Sequence, residues 1–509
     1  MSSPSLPVAR DSDTLDALDD QLLPPDRLRH TRVAIVGTGF SGLGMAIRLK
    51  QRGCDDFVVL ERADELGGTW RDNTYPGCAC DIPSHLYSFS FAANPDWTRT
   101  YAPQREIQAY LRACMDRFGL RPHIRFNCEL REARWNEAAR CWHILTSQGP
   151  LTADMLVLGQ GPLSEPSIPA IPGIESFTGI LFHSARWRGD YDLTGKRVAV
   201  VGTGASAIQF VPHIQPQVSQ LILFQRTPAW IMPRQDKAIM PQQQARFQRW
   251  PLLQRLIRLG MYWVREIGVL GLVYNSRLMK SAAQRASEHR EAQIADPELR
   301  AKLTPQYTMG CKRILLSDDF YPAVSQPNVE VTTEPIRAIT PQGVVTVDGT
   351  ERKVDAIILA TGFHVTDTPI TRSIYGRTGQ ALAEAWRDGP QAYLGITVAG
   401  FPNLFLLVGP NTGLGHNSMV FMIESQVAYT LDALRQMERR KARVVEVEEQ
   451  AQAAFVAEAQ RRMQTTVWSS GCSSWYLDAS GHNTTIWPGF TWEYRLRTRR
   501  FNARRYRLV

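Results

Sequence analysis

Two apolar runs frame this chain. Residues 32–37, RVAIVG, and residues 197–202, RVAVVG, are short, rich in β-branched side chains and unbroken by polar positions. That is the pattern of parallel strands covered on both faces. Each run enters a glycine-rich turn and then a stretch with helical apolar spacing, LGMAIRLKQRG after the first and IQFVPHI after the second. Each helix gives way to another apolar strand, FVVLER at 57–62 and QLILFQRTP at 220–228. A further strand, VDAIILATGF, occupies 354–363, and FPNLFLLVGP leads through a glycine-rich loop into a long helix from about Asn417. Residues 246–289 have helical periodicity, with Arg255, Arg258 and Arg265 interrupting the apolar positions. The pattern predicts an α/β chain with two Rossmann-like dinucleotide-binding domains and a helical insertion in the second. The expected division is a loose N-terminal extension over 1–30, a first domain over 31–175, a second over 176–340 and a return to the first over 341–509. The insertion, at about 235–300, reads as a helical cap over the site; a membrane-surface helix is the alternative.

The turns carry chemistry. In the first, Gly37-Thr38-Gly39-Phe40-Ser41-Gly42, Gly37 permits the tight turn, Gly39 lets a pyrophosphate approach the backbone and Gly42 lets helix and strand pack closely. The helix N-terminus then faces the phosphates. In the second, Gly202-Thr203-Gly204-Ala205-Ser206-Ala207 repeats the device. The strand after each turn ends in a charged residue at the same offset, 24 residues past the first glycine: Glu61 after Gly37 and Arg226 after Gly202. A carboxylate there accepts hydrogen bonds from ribose hydroxyls and repels a 2′-phosphate. An arginine suits a 2′-phosphate. FAD (or NAD) is expected on the first turn and NADPH on the second. The N-terminus of the long helix near Asn417 is placed to stabilise negative charge on a reduced flavin ring.

Bulk properties narrow the class. The 509 residues carry a net charge of +9, with 44% hydrophobic and 21% charged residues, an ordinary globular balance. No nucleic-acid motif accompanies the charge, so no nucleic-acid partner is expected. No secretory h-region and no membrane-spanning apolar run is present, which points to a cytoplasmic protein. The eight cysteines are scattered without metal-ligand spacing, so no metal is expected and reduced thiols are the expected state. Disulfide-reductase chemistry would need a Cys-x4-Cys pair soon after the first turn. The sequence has only Cys78-Ala79-Cys80.

Two longer stretches are more specific. FTGILFHSARW holds Phe177-x-Gly179-x3-His183-x3-Trp187, and GGTWRDNTYPGCACD holds Gly68-Thr69-Trp70, Tyr75-Pro76 and Asp81. With the two turns, these make the chain resemble the type I Baeyer–Villiger monooxygenases within the class B flavin monooxygenases over about residues 30–500. GPNTGLGHNSMVFMIE and CSSWYLDASGHNTTIWPG are similar to the branch around the hydroxyacetophenone monooxygenases. The resemblance implies an FAD enzyme that takes electrons from NADPH, activates O2 as a C4a-peroxyflavin and inserts one oxygen atom into a ketone, giving an ester or lactone. An S- or N-oxidising flavin monooxygenase, acting on a sulfide for example, is the alternative. It further implies that Arg313 stabilises the oxygen-bearing adducts and that Asp81 orients Arg313. Lys312 joins Arg226 on the 2′-phosphate, with Thr227 beside them. Trp475 contacts the NADP ribose when a loop closes. Ser41, Glu61, Trp70, Tyr87 and the Met419 backbone contact the flavin nucleotide, and the Leu130 backbone meets its adenine. His183 is given no chemistry and is expected to couple the linker to the domains. Arg188, after the fingerprint tryptophan, departs from the family pattern.

Overall fold

The computed structural model describes residues 29–509. Two sheets, each built around one of the glycine turns, form the core. In the first, Arg29–Val36 lies between Phe57–Leu60 and Gly149–Leu158, parallel to both. Ile124–Arg125 extends the sheet on the Phe57–Leu60 side. On the other side, Cys141–Thr146 and Leu130–Asn136 continue as an antiparallel meander, closed by Ile374–Tyr375. Leu404–Leu406 pairs with the C-terminal end of Gly149–Leu158, where the meander has already left it. In the second sheet, all parallel, the order is Val329–Thr332, Gln220–Phe224, Arg197–Val201, Ala356–Leu359, Ile180–His183. The apolar runs at 33–36 and 198–200 are almost wholly buried, as strands covered on both faces require.

Two expected boundaries shift. The division at 340 is too early, because Ala356–Leu359 completes the second sheet between Arg197–Val201 and Ile180–His183. Its pairing is set by a parallel crossover across more than 150 residues, which local pattern does not reveal. A three-stranded antiparallel sheet, Ile336–Thr340, Gly343–Thr346 and Glu351–Lys353, supplies the connection. The expected extension 1–30 lies outside the described residues except for its last two, which open the strand Arg29–Val36.

The insertion folds as the helices Pro241–Arg249, Pro251–Val269, Met279–Gln293 and Pro297–Lys302, with a π-helical turn at Leu270–Tyr274. The long helix is Met419–Arg440, capped by the Ser418 hydroxyl, which accepts from the Val420 N–H. It packs against the helix Phe40–Lys50 that follows the first turn. Gly44 makes the approach close, since a Cβ there would meet Phe89 at 3.0 Å and Ile423 at 3.7 Å. Among the described residues, no helix is long and apolar enough to cross a membrane.

Candidate active site

Both turns open on one cavity of about 1510 Å³. A single small-ligand pocket is roughly 300–1,000 Å³, so this one has room for more than one ligand. Its wall includes Gly37, Gly39, Phe40 and Ser41 of the first turn and Gly68, Thr69 and Trp70 of the loop beside it. It also includes Glu61, Tyr87, Leu130 and Met419. From the second domain come Gly202, Thr203, Gly204, Ala205 and Ser206, then Arg226, Thr227, Lys312 and Arg313; Trp475 comes from the C-terminal part of the first, and Asp81 also lines the wall. Gly42, Ala207 and the fingerprint residues Phe177, Gly179, His183 and Trp187 are not part of this wall.

The glycines behave as a dinucleotide turn requires. Gly37 has φ +93° and Gly202 φ +106°, both in the region that favours glycine. A Cβ at Gly42 would sit 1.8 Å from the Gly37 carbonyl oxygen. No side chain caps the helix Phe40–Lys50 at Gly39, so its first N–H groups are left for phosphate oxygens. Gly159, in the VLGQG stretch, fits under this turn: its N–H donates to Val36 O, and its carbonyl oxygen is 2.9 Å from where a Gly37 Cβ would be.

The matched charges lie in opposite settings. Glu61 is 3% exposed. Its Oε2 accepts from the Thr38 N–H (3.1 Å) and hydroxyl (2.5 Å), and its Oε1 from the Ala63 N–H (3.0 Å) and Arg71 Nη1 (2.8 Å). Both carboxylate oxygens of Glu61 are thus engaged within the protein. Neither side-chain partner was legible in advance: Thr38 is the variable position of its turn, and Arg71 follows a separate motif. Arg226 is exposed, and its charge, after burial, pushes the Lys312 ammonium below its usual range. Lys312 also sits over the Tyr307 ring at 5.1 Å. Among the described residues no carboxylate forms an ion pair with either cation. Two adjacent cations without an acid fit a phosphate. The glycine cradle and the buried acid fit a flavin nucleotide.

Arg313 and Asp81 meet between the turns. Arg313 donates from Nε (3.0 Å) and Nη2 (2.6 Å) to Asp81 Oδ2. Their side chains are 31% and 26% exposed, toward the cavity. The Asp81 charge raises the guanidinium further above its usual value against the effect of burial. Burial alone would raise the Asp81 carboxyl, but the Arg313 charge and hydrogen bonds hold it below the usual carboxylate range. Tyr476 is the residue most clearly missed by the motifs. It is buried, its hydroxyl has no hydrogen-bond partner among the described residues, and it interacts with the Arg313 and Asp81 charges. Burial pushes that hydroxyl up to about 12. The adjacent Trp475 is 45% exposed and edges onto the Tyr476 ring at 4.4 Å.

The expectation of reduced thiols fails at one pair. Cys311 and Cys472 form a disulfide, tying the segment that carries Lys312 and Arg313 to the loop that carries Trp475 and Tyr476. A separation of 161 residues hides that proximity. Cys78 and Cys80 are free and buried, and burial pushes the Cys78 thiol up to about 12, the opposite of a redox pair.

The fingerprint packs within the second domain, against the helix that makes the inter-domain contacts. Trp187 packs on Phe182 and on Phe210 of the helix Ala207–Ile214, and Phe210 meets Tyr75. Gln209 of the same helix accepts from the Tyr75 hydroxyl and the Ala79 N–H and donates to Ala79 O. Gly179 leaves room for the Phe177 ring and the Asp355 carbonyl, which a Cβ would meet at 2.6 and 2.5 Å. His183 ends its strand, and its Nδ1 accepts from the Ala185 N–H. Burial lowers its pKa to about 4, so the ring is neutral. Arg188 forms a two-pronged pair with Asp190 at the surface, away from the cavity.

The helix Pro251–Val269 packs on the first domain with its polar side, and the insertion, expected as a cap over the site, contributes no residue to the cavity wall. Gln254 donates to Asn94 O, and Arg258 to His85 O and the Ser88 hydroxyl. Glu266 is buried and accepts from Asn417 Nδ2, the Thr491 N–H and the Thr491 hydroxyl. It thereby anchors the insertion beside the N-terminus of Met419–Arg440.

The flavin-binding monooxygenase-like family matches residues 30–375. A Baeyer–Villiger monooxygenase of Pseudomonas aeruginosa is 54% identical over 489 residues, covering 95% of this chain and 93% of its own. One from Streptomyces coelicolor is 52% identical, covering 94% and 93%. OTEMO, solved in complex with FAD and NADP, superposes with a TM-score of 0.85 at 26% identity, covering 94% of this chain and 99% of its own. With both turns, the fingerprint and the Arg313–Asp81 pair in place, the chain belongs to the Baeyer–Villiger monooxygenases of the flavin-binding monooxygenase-like family.

Proposed function

We propose that this chain binds FAD on the first turn and NADPH on the second, and catalyses ketone + O2 + NADPH + H⁺ → ester or lactone + NADP⁺ + H2O. One atom of O2 enters between the carbonyl carbon and a substituent, and the other leaves as water. Once reduced by NADPH, the flavin supplies the two electrons that activate O2. The observation that carries the assignment is the placing of Arg313, held on Asp81, in the wall shared by the two nucleotide turns.

Gly37, Gly39 and the N-terminus of Phe40–Lys50 take the flavin pyrophosphate. Phe40, Ser41, Gly68, Thr69 and Leu130 line the rest of that nucleotide's path, and Glu61 takes the ribose. Trp70, whose Nε1 donates to the Tyr87 hydroxyl, walls the flavin side. Met419, opening its helix, turns a helix N-terminus toward the cavity, where negative charge is favoured. Gly202, Thr203, Gly204, Ala205 and Ser206 take the NADPH pyrophosphate. Arg226 and Lys312 clamp the 2′-phosphate, with Thr227 adjacent. Arg313 keeps its proton throughout and supplies a fixed positive charge where negative charge develops on oxygen. Asp81 stays ionised and fixes the direction of the guanidinium. Trp475, in the cavity wall, covers the nucleotide end of the site. Because Cys78 and Cys80 stay protonated and buried, the electrons bypass a cysteine pair.

The test is turnover of FAD-loaded protein with NADPH and isotopically heavy O2 on a panel of aromatic, cyclic, long-chain and steroid ketones. One heavy oxygen in an ester or lactone, formed in step with NADPH consumed, is the expected result. NADPH consumption that gives only hydrogen peroxide across the panel, or oxidation of thioethers but no ketone, would overturn the assignment.

A further inference from the structure

The helix Pro251–Val269 is inside out. Its polar and charged side chains Gln254, Arg258, Tyr262 and Glu266 face the protein. Most of its apolar side chains face water. Leu252, Leu256, Leu259, Trp263, Val264 and Ile267 are all exposed, Leu252 to 67% and Val264 to 69%. Their spacing of three and four places them on one stripe. The stripe begins at exposed Trp250 and runs through Leu270 to Tyr274 in the π-helical turn, about 36 Å at 1.5 Å per residue. It broadens sideways: the Tyr274 ring stacks on Phe490, which stacks on exposed Trp492, and exposed Leu496 follows on the same helix. Apolar area of this extent is uncommon on a surface left to water.

The charges around it are mostly positive; the acid on its flank, Glu493, is paired with Arg462 and Arg497. Between 237 and 287 the sole acid is Glu266, which is buried. The exposed charges near the stripe are Arg249, Arg255, Arg277 and Lys280, with Arg495 and Arg499 on the flank. A second copy docked face to face would set these cations against one another. An anionic bilayer surface satisfies both features: leucines and isoleucine enter the acyl boundary, Trp250, Trp263 and Tyr274 sit at headgroup depth, and the arginines meet lipid phosphates.

We propose that this stripe is a monotopic docking surface for anionic phospholipid membranes. The helix lies in the interface, and its inward polar face keeps its contacts with the first domain. The chain's own residues 1–28 are the competing occupant by charge, with six aspartates and two arginines. The leucines of that segment run from Leu6 to Leu28, so a chain without it is included in the test.

The experiment is flotation of the FAD-loaded full chain with vesicles of phosphatidylcholine alone or mixed with phosphatidylglycerol. Three forms are compared: the unaltered chain, Leu256→Glu/Ile267→Glu, and a chain lacking residues 1–28. Bound flavin per chain reports folding, and brominated lipid tests for quenching of tryptophan fluorescence. Expected are salt-sensitive binding to the anionic vesicles, weaker binding to phosphatidylcholine, quenching on binding, and a loss of at least about tenfold in partition for the double variant, with ketone turnover in detergent-free buffer unchanged. Failure of the unaltered chain to bind anionic vesicles would overturn the proposal. If only the truncated form binds, residues 1–28 are the occupant and the proposal falls. It falls equally if light scattering shows a dimer that Leu256→Glu/Ile267→Glu dissolves.

Discussion

The two nucleotide turns share a backbone design and differ in how they treat charge. At the first, the carboxylate that closes the second strand is buried, and its four acceptor positions are filled by Thr38, Ala63 and Arg71. At the second, the arginine in the same slot is exposed beside Lys312, and no acid among the described residues pairs with either. The first is closed and self-satisfied; the second is an uncompensated positive site. The contact at the third turn position follows the same division. Gly42 is pressed against the Gly37 carbonyl, whereas Ala207 is accommodated with its methyl fully buried. A tightly held cofactor and one that comes and goes each turnover call for these two solutions.

The largest effect should come from breaking the tighter turn. Gly42→Ala places a methyl 1.8 Å from a carbonyl oxygen, so the chain should purify without flavin. The mirror change, Ala207→Gly, should keep full flavin and raise the NADPH KM no more than a few-fold, matching the ~0.5–1 kcal/mol a helical glycine costs. Flavin absorbance per chain checks the flavin content of both, and steady-state NADPH kinetics checks the KM.

Arg313→Ala should come next. Loss of one preorganised positive group costs about 10²–10³ in kcat, so ester formation should fall by that factor while NADPH oxidation continues and yields hydrogen peroxide. Arg313→Lys should recover part of the loss. Product and peroxide assays on the same samples separate the two outcomes.

The smallest effect is a pH dependence peculiar to the second turn. The Lys312 ammonium is held below its usual range by burial and by Arg226, and a bound phosphate raises it again. As pH rises, the free protein loses this charge first. The NADPH KM should therefore climb by a few-fold on the alkaline side, starting below the ordinary lysine range, while the NADH KM stays flat. Lys312→Arg should abolish the climb, and steady-state kinetics in both coenzymes shows it.

Much of this was legible in the sequence because the chemistry is local. Gly37 to Gly42 and Gly202 to Ala207 lie on continuous strand–turn–helix text, and Glu61 and Arg226 follow at a fixed offset. What stayed hidden depends on chain segments that meet only in the fold. The strand Ala356–Leu359 enters the second sheet through a parallel crossover, Cys311 finds Cys472, and Tyr476 reaches Arg313 across the same junction. The insertion's periodicity showed a helix but not which face is buried, because polar side chains on the inward face find partners that only the first domain supplies.

Exchange of the slot charge tests the central contrast most directly. In Arg226→Glu, kcat/KM for ketone-coupled oxidation of NADPH should fall by at least about a hundredfold while NADH holds or improves, reversing the coenzyme preference with flavin content unchanged. An undiminished preference for NADPH would contradict the account, because the 2′-phosphate would then be read somewhere other than at Arg226 and Lys312.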